Sequence, residues 1–316
     1  YSSAASDVYK RQNMGRSDVL EVFSIYGQVS GSNELVFPGE SQELSRVILN
    51  FPVSQLTTDR TNNTIPASGS ISWYLRMFNA EHAETVPREY SMIIQGINKS
   101  WEEGDGLDMD NYTDKTYDAI GSNWIKSSNT TSWTSPGGDY LASPSYTVSF
   151  GNKGTENLEV DISDIVEDWM TTLASATALL NSFDASSLNN GDTIVLKDTA
   201  QTSHTFTINT STDATINNII GVQTAKAGPN NELMGDQIEA TINDATSTCA
   251  STITAVFTAP GGDPLITFTQ DVAGKKGNTT NTDSAAGLTL SSFTGGTGVP
   301  SYGVGVRLSA SYEAYY

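Results

Sequence analysis

DISDIVEDWMTTLA, Asp161–Ala174, is the stretch on which the reading of this chain turns. Ile162, Ile165, Val166, Trp169 and Leu173 recur at the i, i+3, i+4, i+7 spacing that puts apolar side chains on one helical face. Asp161 and Ser163 both suit an N-cap, and Asp164 is favourably placed in the first turn. On either side of this helix the composition differs. From Val19 to Tyr146 the chain reads as short β segments: VLEVFSIYG (Val19–Gly27), SRVILNFPV (Ser45–Val53), SISWYLRMFNA (Ser70–Ala80) and EYSMIIQGI (Glu89–Ile97). Turns are expected at DRTNN (Asp59–Asn63), PASGS (Pro66–Ser70) and SPGGD (Ser135–Asp139). Short strands at this spacing predict a sandwich or jelly roll.

After about Ala174 aromatics become sparse, and Thr, Asn, Ala and Gly dominate up to Pro300. Strands DTIVLKD (Asp192–Asp198) and SHTFTIN (Ser203–Asn209) precede a helical ELMGDQIEATINDA (Glu232–Ala245), with Leu233, Ile238 and Ile242 on one face. STITAVFTA (Ser251–Ala259) and PLITFTQD (Pro264–Asp271) follow, giving a compact β-β-α-β-β unit. Asn181-Ser182-Phe183 and Gly295–Gly298 read as its linkers. SYGVGVRLSASYEA (Ser301–Ala314) then returns to the first kind of strand. The expected fold is therefore mainly β: a sandwich of residues 13–173 plus 301–316, interrupted by a small α+β domain over 174–300. Exposed loops tolerate such insertions.

The charge balance excludes some functions. Lys plus Arg is 16 against 36 Asp plus Glu, a net charge of −20, which argues against nucleic acid and anionic membrane surfaces as partners. A single cysteine, Cys249, excludes an intrachain disulfide framework and a cysteine-based zinc site. No apolar run approaches the roughly 20 residues of a membrane span. Residues 1–12 carry no strand period and no signal-peptide core; SSAASDVYKRQ resembles the in-frame translation of a transposase-type sequencing adapter. They are set aside from the fold, and the chain is expected to be a fragment truncated at both ends.

Several ordered motifs resemble a known family. Asn13-Met14-Gly15-Arg16-Ser17 before a strand, Ser45–Phe51, SWEEGDG (Ser100–Gly106), Asn123-Trp124, WTSPGGDY (Trp133–Tyr140) and LEVDISDIVEDW (Leu158–Trp169) are similar to DNRLRE-type domains. These are jelly-roll modules related to carbohydrate-binding modules. The family's closing N-Y-G strand looks like Ser301–Val306, displaced here by the insert. Two departures stand out: the family's first strand is missing before Asn13, and no ending signal precedes Tyr316. DTIVLKD…HTFTIN and ITFTQDVAGKKGN resemble the Thr/Gly-rich β-β-α-β-β repeats of phage tail and fibre proteins.

Two groups of residues carry candidate chemistry. Asp105, Asp108, Asp110 and Asp114, in and after the acidic loop Glu102–Asp110, offer hard oxygens suited to calcium. The spacing is not that of an EF-hand, and a solvated acidic loop is the competing reading. Trp101, Trp124, Trp133 and Tyr140 offer flat faces for stacking on a sugar, against the alternative that they anchor a loop on the sandwich. Trp169 belongs to the core. His82, in NAEHAE (Asn79–Glu84), has no partner motif, and His204 is expected to face solvent or a neighbouring strand. No nucleophile elbow, phosphate loop or Cys/His pairing occurs, so no catalytic residue or cofactor is assigned.

The two resemblances and the acidic composition together imply a non-enzymatic virion structural protein of a tailed phage: a decoration, neck, tail or fibre component. Its expected partners are other virion proteins, a second copy of itself, and host surface glycans. The alternative is a secreted, extracellular bacterial carbohydrate-binding or matrix adhesion module.

Overall fold

The structure is a computed structural model. It describes residues 13–15, 19–22, 24–26, 42–80, 89–104, 121–151, 153, 155–259 and 264–309. The chain divides into two compact units, Tyr1–Met170 with Ser301–Tyr316, and Thr171–Pro300. Sixteen strands and four α-helices are present among the described residues, and the fold is mainly β and sandwich-like.

The first unit runs β1 (Ser24–Tyr26), β2 (Gln42–Leu44), β3 (Val47–Leu49), α1 (Val53–Thr61), β4 (Tyr74–Met77), β5 (Tyr90–Ile97), β6 (Tyr140–Phe150), β7 (Leu158–Asp161) and α2 (Ser163–Met170). The second runs β8 (Thr177–Phe183), β9 (Thr193–Lys197), β10 (Ser203–Asn209), β11 (Ile219–Gly221), α3 (Gln223–Ala227), α4 (Asn231–Asn243), β12 (Ile253–Thr258), β13 (Leu265–Gln270), β14 (Thr282–Asp283) and β15 (Leu288–Leu290). β16 (Val304–Leu308) then completes the first unit.

In the first unit β16 lies between β3 and β5, antiparallel to both, and β6 closes the sheet in the order β3-β16-β5-β6. Val306 stands opposite Val47 on one side and Ile94 on the other. Ile94, Ile97, Val304 and Val306 are buried, each removing from water an apolar side chain worth about 1.5–3 kcal/mol. A strand from the far end of the sequence thus supplies the middle of this sheet. β4 pairs with β7 in a separate two-stranded ribbon. The turn after β7 is held by side chains: Asp161 Oδ1 accepts from the Ser163 amide at 2.9 Å, and Ser163 Oγ accepts from the Trp73 amide at 2.8 Å. Ile165, Val166 and Trp169 of α2 face the core, as their spacing predicts.

The second unit has two four-stranded sheets, β11-β10-β9-β14 and β12-β13-β8-β15. Strict alternation sends Ile194, Leu196, Phe206 and Ile208 inward from one sheet, and Leu180, Ile253, Ile266 and Phe268 from the other. α4 starts on Asn230, whose side chain accepts from the Leu233 amide at 2.9 Å. It adds Met234, Ile238 and Ile242 to the same core.

The sequence reading needs five corrections. Val53–Thr61 is a helix, where a strand end and a turn are expected. Pro52 lacks the amide a ladder requires, and the Thr57, Thr58 and Thr61 hydroxyls bond back to carbonyls one turn earlier. Only Val53 of α1 is buried, so no apolar period advertises it. Asn181-Ser182-Phe183 is no linker: it ends β8, an interior strand between β13 and β15. The insert holds more than β-β-α-β-β: β8, β11, β14, β15 and α3 add to it, and all of these but β8 are too short to show a period. α2 ends at Met170, before the β-branched Thr171-Thr172, and Leu173 is exposed. His204 shares its parity with Phe206 and faces inward, 5% exposed.

Candidate functional site

The four predicted aromatic residues are all in the first unit, and the structure gives each a protein partner. Trp101 Nε1 donates to the Tyr302 carbonyl at 2.7 Å. Trp133 is buried and its Nε1 donates to the Asn123 carbonyl at 2.8 Å. Tyr140 donates its hydroxyl to the Gly137 carbonyl at 2.8 Å. Trp124 and Tyr140 are brought together by a residue the site prediction omits, Arg46. Its guanidinium lies 4.6 Å from the Trp124 ring centre and 5.7 Å from that of Tyr140, and its Nη1 donates to the Gly137 carbonyl at 2.9 Å. Arg307 of β16 lies 5.5 Å from the Tyr140 ring and donates to Gln95 Oε1 at 3.0 Å.

The geometry makes this a cation–aromatic stack on Trp124 and Tyr140. Arg spreads its charge over a planar fork that can stack and donate at once, and each contact of this kind is worth about 0.5–1 kcal/mol or more where water is kept away. Gly137 is required beneath it: its φ is +86°, and a Cβ there would come within 2.4 Å of Arg46 Nη1 and 2.9 Å of Trp124. Gly305 plays the same part under Tyr140, where a Cβ would meet the ring at 2.2 Å. The SPGGD turn is held by Asp139, which accepts from the Thr134 and Ser135 amides at 2.9 Å each. Partial burial alone would raise the Asp139 carboxyl; those two amides, with Lys99 at 3.7 Å, outweigh it and hold the group below its ordinary value. The signal for Arg46 and Arg307 is legible after the fact, since each interrupts an otherwise apolar strand, SRVILNF and VGVRLS.

Asp105, Asp108, Asp110 and Asp114 lie outside the described residues, as does His82. Among the described residues no group of three or more His, Cys, Asp or Glu is placed to hold a metal ion. No described helix is long and apolar enough to cross a membrane.

A second feature lies on β4. Along β4 and just past it, Tyr74, Arg76 and Phe78 share one face at the two-residue period of a strand. Tyr74 is 52% and Phe78 79% exposed. Arg76 sits 5.8 Å from the Tyr74 ring and pairs with Glu159 of β7 at 3.0 Å. Large aromatics at such exposure, flanking an Arg, form the kind of strip enriched at protein interfaces. The alternation Y-L-R-M-F is the sequence signal.

Compared with family models, with curated proteins and with solved structures, the chain matches none.

Proposed function

We propose that the chain is a structural, non-enzymatic component of a tailed-phage particle, acting through contacts with other copies of itself or with neighbouring particle proteins. The observation that carries the contact role is the exposed Tyr74–Arg76–Phe78 strip on a strand paired along β7. Leaving two large aromatics in water is costly for a solitary molecule, whereas covering them against a partner recovers the apolar area. The phage setting is supported by the likeness of 174–300 to tail and fibre repeats. The net charge of −20 supports protein rather than nucleic-acid partners.

The test uses the double variant Tyr74→Ser/Phe78→Ser, whose sites are too exposed for the fold to depend on them. Light scattering at tens of micromolar is expected to give more than one chain per particle for the wild type and one for the variant, with unchanged melting. A wild type that stays a single chain and leaves purified phage particles unbound ends the contact role. Absence of its peptides from particles of the source sample ends the phage setting alone. The rival, a secreted carbohydrate-binding or adhesion module, predicts instead that polysaccharide retards the wild type in affinity electrophoresis and that the same variant runs free.

A further inference from the structure

The second unit buries a carboxylate and an imidazole that the structural role leaves unused. Asp198 is 3% and His204 5% exposed, and they meet at 3.0 Å, Oδ2 to Nε2. The other ring nitrogen, Nδ1, lies 3.1 Å from the hydroxyl of Thr248, which is exposed. Sequence hides the arrangement, because the three residues come from the turn after β9, from β10 and from the segment after α4.

The directions of these bonds follow from the donors available. The Thr248 amide can only donate, so the Asn218 oxygen must be the atom that faces it, at 3.0 Å. That turns Asn218 Nδ2 toward the Thr205 carbonyl and toward Thr248 Oγ1, at 3.3 and 2.7 Å. Asp198 Oδ1 already accepts from the Ala200 and Thr202 amides, each at 2.9 Å, which fixes the carboxylate plane. Its Oδ2 therefore accepts from Nε2–H, and in a neutral ring the other nitrogen is then the acceptor. Thr248 receives a hydrogen bond from Asn218 and gives its own proton to His204 Nδ1. The order carboxylate, imidazole, hydroxyl is that of an activated nucleophile with its base and the base's orienting group.

We propose that Asp198, His204 and Thr248 form a hydroxyl-activating relay, and that Thr248 is a site of covalent acylation by activated esters. In the step, Thr248 Oγ1 attacks the acyl carbon while its proton passes to His204 Nδ1. The carbon–oxygen bond to the leaving alcohol or phenol breaks, and the departing oxyanion is protonated from the imidazolium or from water. Asp198 holds the ring in the required tautomer and supports its positive charge. Asn218 Nδ2 positions Oγ1 against His204 Nδ1 through its 2.7 Å hydrogen bond. The product is an ester on Thr248.

The full chain treated with p-nitrophenyl acetate at pH 7.5 tests this. Peptide mapping is expected to place acetyl on Thr248 in preference to Thr246, an exposed neighbour whose hydroxyl bonds to Asp244 rather than to a histidine. A positioned base contributes on the order of 10²-fold or more, so His204→Gln should bring Thr248 labelling down to the Thr246 level. Thr248→Ser should retain it and Thr248→Val abolish it. Asn218→Gly keeps the backbone at its φ of +62° and should slow acetylation without unfolding the unit; it serves if the histidine variant fails to fold. Equal labelling of Thr248 and Thr246 in the wild type, or Thr248 labelling unchanged in the folded His204 and Asn218 variants, overturns the proposal.

Discussion

Replacing Glu167 by Gln removes a charge from the pair that ties α1 to α2 while leaving its volume in place. Arg60 Nη1 and Nη2 each donate to a Glu167 oxygen at 2.7 Å, and Trp73 Nε1 adds a third bond at 3.2 Å. Both side chains are only 19% exposed. The Arg60 fork, opposed by partial desolvation, holds the Glu167 carboxyl at about 2 against an ordinary 4.5. At 1.36 kcal/mol per pH unit that difference corresponds to about 3 kcal/mol. The outer edge of the pair still meets water, which screens it, and Gln keeps one acceptor for the guanidinium. The expected loss at pH 7 is therefore about 1–2 kcal/mol. Because the folded-state value is depressed, this stability is fully present above about 4.5 and is lost as the pH falls toward 2. The gap between wild type and Glu167→Gln should accordingly shrink by about half or more between pH 7 and pH 3. Urea unfolding followed by tryptophan fluorescence measures it, urea being preferred because a denaturing salt would screen the pair. All five tryptophans, Trp73, Trp101, Trp124, Trp133 and Trp169, lie in the first unit, so the signal belongs to the unit being perturbed. No gap at pH 7, or a gap unchanged at pH 3, would refute the reasoning.

Arg46→Lys keeps the charge but loses the planar stack on Trp124 and the fork geometry at Gly137; it should cost the first unit about 1 kcal/mol and shift tryptophan emission to the red, and an unaltered spectrum counts against the stack. Gly235→Ala in α4 sets two effects against each other: helix propensity gains about 1 kcal/mol, but the new Cβ would come within 2.3 Å of the Phe257 ring, an overpacking that costs about 1–3 kcal/mol. Calorimetry should show the second unit destabilised and partly rescued by Phe257→Leu; a simple gain in stability would mean that the ring moves aside freely.

The mainly β character, the α2 face and strands β9, β10, β12 and β13 of the second unit could be read directly, because alternation and helical spacing are local properties of the chain. Ser203–Asn209 follows its period residue for residue. α1 could not be read this way: its anchor is a bidentate pair to Glu167, a partner 107 positions away, and its own face carries no apolar period. The aromatic cluster was half legible. The residues Trp101, Trp124, Trp133 and Tyr140 were visible as a set, but that the rings of Trp124 and Tyr140 meet arginines depends on where the start of β3 and β16 bring Arg46 and Arg307. His204 shows the same division. Its parity with Phe206 was in the sequence and pointed inward, yet a buried imidazole is tolerable only because Asp198 and Thr248 satisfy both nitrogens, and that pairing exists only once the turn after β9 and the segment after α4 are folded. Period, composition and charge are set by neighbours along the chain; ring faces, ion pairs and hydrogen-bond direction depend on groups that meet only in space.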